Sequence, residues 1–125
     1  MQAIAIRGAT TVATNNADEI KSASVAMVQQ IVKENNIDPE QITMVFLTMT
    51  SDLTAYNASA AIRLGMNWAD VPFFTSQEPD IDGGLAKCIR ILIQVQSDKH
   101  RSEVKHVYLG GAASLRPDLN LGKQS

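Results

Sequence analysis

Four β-branched residues, Ile89, Ile91, Ile93 and Val95, occupy every second position of the stretch Asp82 to Gln96, DGGLAKCIRILIQVQ. That period predicts a half-buried strand with Cys88, Arg90, Leu92 and Gln94 on its other face. A helical stripe through Leu85, Ile89 and Leu92, entered from a Gly83-Gly84 loop, is the competing reading of the same residues. Gln2 to Val12 also alternates, with Ile4 and Ile6 on one face and Ala5, Arg7 and Ala9 on the other, and predicts a first strand. Asn15-Asn16 breaks it. Asn16 and Glu19 then form a capping pair for a helix running to about Glu34, whose inward stripe is Ile20, Ala23, Met27, Val28 and Ile31.

Asp38-Pro39-Glu40 makes a turn, and Ile42 to Met49 is apolar on both parities, which predicts a central strand covered on both faces. Asn57 caps a short helix, Ala58 to Leu64, closed by Gly65, with Ala58, Ala61 and Ile62 inward and Arg63 outward. Val71 to Ser76 is a short strand with Pro72 near its start, followed by a polar loop from Gln77 to Gly84. Ser97 to Glu103 is a charged turn. A last strand, Lys105 to Leu109, places Val107 and Leu109 on one face and His106 and Tyr108 on the other. From about Leu115 the chain turns polar, and this tail is expected to be mobile.

Composition narrows the class. The 125 residues suit one domain spanning 1–125, and with 45% hydrophobic and 19% charged residues the chain has the make-up of a globular protein. A net charge of -2 and sparse aromatics offer neither a basic field nor a stacking platform, so nucleic acid is not an expected partner. Cys88 cannot form an internal disulfide and reads as a small buried hydrophobe. Arg7 interrupts the opening apolar run too early for a signal peptide, and no run is long enough to span a bilayer, so the expected location is cytoplasmic, away from membranes.

His100 and His106 lack neighbouring cysteines or spaced carboxylates, so no metal site is predicted. There is no glycine-rich phosphate loop, nucleophile elbow or dinucleotide fingerprint. What remains is a set of polar groups in or beside strands, Arg7, Glu78, Arg90 and Tyr108, with Arg63 on the short helix and Arg116 in the tail. Taken singly, each also reads as a surface cation, a solvated acid or a half-buried ring. Taken together, they suit a small anion, because a guanidinium fork binds a carboxylate through two bonds.

IRGATTV (Ile6 to Val12), SDL (Ser51 to Leu53), Arg63, the W-x-x-V-P segment Trp68 to Pro72, Gln77-Glu78, GGL-x-KCIR (Gly83 to Arg90), VQ-x-D (Val95 to Asp98), HVYL (His106 to Leu109) and LRPDL (Leu115 to Leu119) together resemble a monofunctional chorismate mutase of the AroH class. The resemblance runs from end to end. It implies an α/β (α+β) fold, a single mixed sheet of about five strands with one long and one short helix, assembled as a homotrimeric pseudo-barrel with active sites in clefts between subunits. It also implies rearrangement of chorismate to prephenate on the route to phenylalanine and tyrosine, with no cofactor and no metal. By position, Arg90 resembles the arginine facing the ether oxygen of the breaking bond and a substrate carboxylate. Arg7 resembles the partner of the other carboxylate, Glu78 the acceptor of the ring hydroxyl, and Tyr108 a further carboxylate donor. Phe74 and Thr75 fall at substrate-binding positions, and Arg63, Leu115 and Arg116 at rim and tail positions that close over the ligand.

Two departures stand out. Thr75 replaces the cysteine often seen beside the glutamate, and its hydroxyl is expected either to donate to Glu78 or to accept from the substrate. Tyr56 to Ala60, YNASA, replaces a segment that tends to carry an aromatic, a proline and a lysine; Asn57, Ala58 and Ala60 are expected to thin the apolar cover and charge of the rim, which bears on affinity more than on the chemical step. A concerted rearrangement needs no nucleophile, metal or proton transfer, so it suits the motifs found. Two other readings use the same arginines: a non-catalytic trimeric binder of a small carboxylate, and a Rid-type imine deaminase. HVYL, LRPDL and the Gln77-Glu78 pair favour the mutase.

Overall fold

The computed structural model describes residues 1–115. The predicted alternation holds along most of the chain. Strand β1 spans Gln2–Thr11, helix α1 Ala17–Asn35, β2 Ile42–Met49, α2 Ala58–Gly65, β3 Phe73–Gln77, β4 Cys88–Ser97 and β5 Val107–Tyr108, with 3-10 turns at Pro39–Gln41, Arg101–Glu103 and Gly110–Ser114. The strands form one sheet in the order β3-β2-β4-β1-β5, with β4 antiparallel to β1 and β2, and with β3 and β5 parallel to their neighbours. The fold is a mixed α+β sheet with two helices, as the sequence predicts.

The core lies between the helices and one sheet face. Ile20, Met27, Val28 and Ile31 of α1 and Ala58 and Ile62 of α2 pack with Ile4, Ile6, Val45, Leu47, Ile89, Ile91, Ile93 and Val95. The period-two pattern of β4 therefore wins over the helical stripe, because every β-branched side chain of the run reaches this core. Gly8 sits beneath α1, where a Cβ would lie 2.6 Å from Ile31 Cδ1 and 2.9 Å from Ile91 Cγ2. Its missing side chain lets helix and sheet approach.

The structure corrects several local expectations. Glu19 does not complete a capping box with Asn16. Asn16 Oδ1 accepts from the Asp18 and Glu19 amides, while the Glu19 carboxylate reaches further back to the Ala13 and Thr14 amides and the Thr14 hydroxyl. Gly65 does not end α2 as a left-handed cap; it lies within the helix against Val25 of α1, and the left-handed residue is Asn67 at φ 58°. The last strand shortens to Val107–Tyr108, and the strand expected over Val71–Ser76 begins and ends later. β2 is not covered on both faces within one chain: Met44 is 38% exposed, and Phe46 and Thr48 are half-buried. Its double apolar parity has a local cause only at Ile42, since Met44 and Phe46 lie on the open face. A register shift between Ile42 and Met44 puts Ile42 and Val45, three apart, on the same buried face.

Candidate active site

The start of β4 fixes where Arg90 falls. Lys87 adopts φ 48°, and its amide donates to both carboxylate oxygens of Asp52 at 3.2 and 3.0 Å, while the Cys88 amide donates to Thr50 Oγ1 at 2.9 Å. The Thr50 hydroxyl in turn donates to Asp52 at 2.5 Å. Asp52 is held below the ordinary carboxylate range chiefly by this hydroxyl, opposed by desolvation and helped to a lesser degree by the Lys87 amide. The clamp sets the register in which Arg90 lies opposite Thr48 of β2 and Ala9 of β1.

That register builds the open sheet face in two rows. One crosses all five strands as Ser76, Thr48, Arg90, Ala9 and Tyr108; the other runs Phe74, Phe46, Leu92 and Arg7. Ala9 is fully buried, and with no side chain beyond Cβ it separates the two larger groups Arg90 and Tyr108. Arg7 is fixed at its backbone, whose amide donates to His106 Nδ1 at 2.9 Å. Glu78 follows β3 directly, and its amide continues the ladder to the Met49 carbonyl at 2.8 Å. Its carboxylate comes back over β2, where Oε1 accepts from the Thr48 hydroxyl and lies 3.4 Å from Arg90 Nε.

Arg7, Glu78, Arg90 and Tyr108 thus line one cleft of about 240 Å³, together with Gly8, Phe46, Thr48, Ile91 and Leu92. The cleft has an apolar floor with a few convergent polar groups, the usual make-up of a small-ligand site. Two guanidinium groups, one carboxylate and one phenol can together hold an anion that also carries a hydroxyl donor. Cys88, on the Arg90 face at the start of β4, is 1% exposed among Ala9 and Ala112. Burial pushes its thiol up, only partly offset by the adjacent Arg90 charge, so it stays neutral at pH 7.

The other predicted residues are not brought into this cleft within one chain. Phe74 stacks on Phe46 at 5.8 Å and is 66% exposed. Arg63 lies on the exposed side of α2. Leu115 packs against the Ala9, Cys88 and Ala112 cluster, as Tyr108 does. Arg116 lies outside the described residues, as does the remainder of the tail.

Thr75 does not meet Glu78. It pairs with Leu47, whose side chain faces the helices, so its hydroxyl turns to α2, where it bonds to Ser59 Oγ and donates to Asn57 Oδ1 at 3.2 Å. The YNASA segment is correspondingly less of a rim than expected. Ala58 is fully buried in the core, Asn57 caps α2 through the Ser59 amide, and Tyr56 is covered by Lys21 at 4.5 Å from its ring. Asn15 holds the preceding turn through the Thr54 and Ala55 amides. Thr48 and Phe46 line the cleft without having been singled out in the sequence. The available signal was parity, since a hydroxyl shares the face of Phe46 in an otherwise apolar run.

The chain matches the family described as Chorismate mutase type I over residues 3–119. It is 40% identical over 120 residues to Chorismate mutase AroH of Bacillus subtilis (strain 168), spanning 96% of this chain and 94% of that protein. It is 37% identical over 116 residues to Chorismate mutase AroH of Thermus thermophilus, spanning 91% and 93%. Among solved structures, Chorismate mutase from Clostridium thermocellum Cth-682 superposes with a TM-score of 0.84 at 38% identity, covering 87% of this chain and 96% of that one. A mixed sheet that gathers two arginines, a glutamate and a tyrosine over one cleft, in a chain matched along nearly its whole length, thus agrees with the sequence resemblance: the chain belongs to the chorismate mutase type I family.

Proposed function

We propose that this chain is an isomerase, a chorismate mutase that rearranges chorismate to prephenate in aromatic amino-acid biosynthesis, ahead of phenylalanine and tyrosine. The observation that carries the reading is the convergence of Arg7, Glu78, Arg90 and Tyr108 on one cleft. Arg90 holds one carboxylate and supplies positive charge where the ether oxygen becomes negative as its bond to carbon breaks, Arg7 holds the other carboxylate, Tyr108 adds a carboxylate hydrogen bond, and Glu78 accepts from the ring hydroxyl. Electrons move around a six-membered ring within one molecule, so no group of the protein need take or give a proton. Its work is to hold the compact diaxial conformer of a flexible dianion and to meet the developing charge with a fixed cation.

The assembly is a homotrimer of single-domain chains, with Phe74 and Arg63 of a neighbouring subunit facing the cleft, Thr75 behind Phe74 on the same strand, and Leu115 and Arg116 closing over it. Two observations support this: the cleft of one chain is smaller than a typical small-ligand site, and Phe74 and Arg63 are exposed away from it. The expected location is the cytoplasm; among the described residues no helix is long and apolar enough to cross a membrane. Neither the Rid-type deaminase nor the non-catalytic binder gains support from a specific observation.

The deciding experiment mixes purified protein with chorismate, follows the loss of its diene absorbance, and identifies the product as prephenate. Arg90→Ala is expected to lower turnover by at least the roughly hundred- to thousandfold cost of removing one preorganised donor. Near wild-type turnover in that variant removes Arg90 from its role. Tight binding of chorismate without conversion by the unmodified protein would favour the binding module instead.

A further inference from the structure

We propose that Thr48 is a positioning residue that keeps Glu78 and Arg90 apart in the arrangement the reaction needs. This deepens the chorismate mutase reading and rests on it. Glu78 and Arg90 carry opposite charges, approach within 3.4 Å, and lie in a half-open cleft. Left to themselves, a carboxylate and a guanidinium at this distance settle into a two-bond fork, each oxygen taking one N–H. That fork would occupy both oxygens of the acid and turn the cation away from the ligand. The observed contact is different: Arg90 Nε stands 3.4 Å from Oε1 as an ion pair, and no hydrogen bond joins the two groups.

Thr48 accounts for the difference. It lies directly opposite Arg90 across the β2–β4 pair and opposite Ser76 across β2–β3, so its side chain stands beside Arg90 on the open face. Its hydroxyl donates to the same Oε1. Oε1 of Glu78 thereby takes the Thr48 hydrogen bond and faces the Arg90 charge, and Oε2 has no hydrogen-bond partner among the described residues. The Glu78 amide, tied to Met49, fixes the other end of the residue. Oε2 is then the acceptor left for the substrate hydroxyl, and the outer nitrogens of Arg90 are left for the ether oxygen and a carboxylate. Thr48 touches neither reacting atom. It acts through Glu78.

Thr48→Val removes the hydroxyl while keeping a β-branched residue of the same size in the strand, and Thr48→Ser keeps the hydroxyl. Each is measured with chorismate in the unmodified protein and in the Glu78→Ala background. Thr48→Val is expected to lower kcat/KM by roughly tenfold to hundredfold, the cost of losing a hydrogen bond to a charged group, with part of the loss in kcat because Arg90 is diverted. Thr48→Ser retains most of the activity. In Glu78→Ala, Thr48→Val adds no further loss, because the group it acts through is gone. Equal losses in both backgrounds, or full activity in Thr48→Val, would overturn the proposal. Crystal structures of the unmodified protein and Thr48→Val provide a readout independent of turnover: a Glu78–Arg90 fork in the variant supports the role, and an unmoved Glu78 refutes it. A protein that does not convert chorismate but forms the fork on losing Thr48 would refute the assigned reaction while leaving the positioning role standing.

Discussion

Asp52 shows how a residue outside the cleft governs it. Its carboxylate gathers the Thr50 hydroxyl and the Lys87 amide at the one point where a non-glycine residue must hold a left-handed backbone before β4. These donors favour the charged form and depress its folded pKa below the ordinary 3.8. A depressed carboxylate contributes stability that is fully present above its unfolded pKa and lost as pH falls through the folded value. Glu19, lowered chiefly by the Thr14 hydroxyl, acts in the same direction. Thermal unfolding midpoints are therefore expected to hold from neutrality down to about pH 5 and to fall below about pH 4. Asp52→Asn, which keeps an acceptor but cannot titrate, should lower the midpoint at pH 7 and flatten part of the acid fall; parallel curves for the two proteins would show that Asp52 contributes nothing to it. The functional side chains themselves were legible one by one where they broke a pattern, as Arg90 does in a β-branched run. The expected Thr75–Glu78 bond does not form, because which way the Thr75 hydroxyl turns depends on pairing with Leu47, which no local pattern records.

At the scale of elements, two glycines mark the places where layers meet most closely, and they should respond differently to a methyl group. At Gly8 the added Cβ would meet Ile31 and Ile91, both buried, and would come within 3.3 Å of the Val107 carbonyl oxygen, which is backbone. At Gly65 it would meet only Val25, which is half-buried, and alanine regains about 1 kcal/mol of helix preference there. Gly8→Ala is therefore expected to cost about 1–3 kcal/mol, as overpacking does, and Gly65→Ala to fall within about 1 kcal/mol of the unmodified protein. Urea unfolding of both variants checks this, and a Gly8→Ala protein as stable as the parent would mean that the helix shifts freely over β1. Element type was readable from the apolar pattern for β1, α1, β2 and β4, by period in β1, α1 and β4 and by an unbroken apolar run in β2. The register shift near Thr43 was not, because a bulge looks like a second apolar parity until the partner strand is known. Two-residue β5 is shorter than expected for the opposite reason: HVYL has strand propensity, but only Val107 and Tyr108 pair in register with β1, while Leu109 adds a single amide bond to the Ala9 carbonyl.

On the scale of the whole molecule, the sheet face opposite the helices makes sense only if something covers it. A sheet with one solvated face ordinarily alternates apolar inside with polar outside. Here the outer face carries Leu92, Phe46, an exposed Phe74 stacked upon it, and the partly exposed Met44. The cation and the acid of the proposed chemistry lie on that same face, beside an open cleft. A second copy laid against it would bury the aromatic pair and wall the cleft at once, which is the economy of a closed symmetric ring. The proposed trimer then makes a sharp demand: Arg90 of one subunit and Arg63 of the next serve the same site. Arg90→Ala and Arg63→Ala chains, each weakened alone, should recover activity when unfolded together and refolded as a mixture, because about one site in four then receives both intact arginines by random association. Mixing the folded proteins without subunit exchange should recover nothing. If co-refolded chains stay as weak as their parents while sedimentation shows mixed trimers, the two arginines do not share a site across the interface, and the cleft must be completed by another surface.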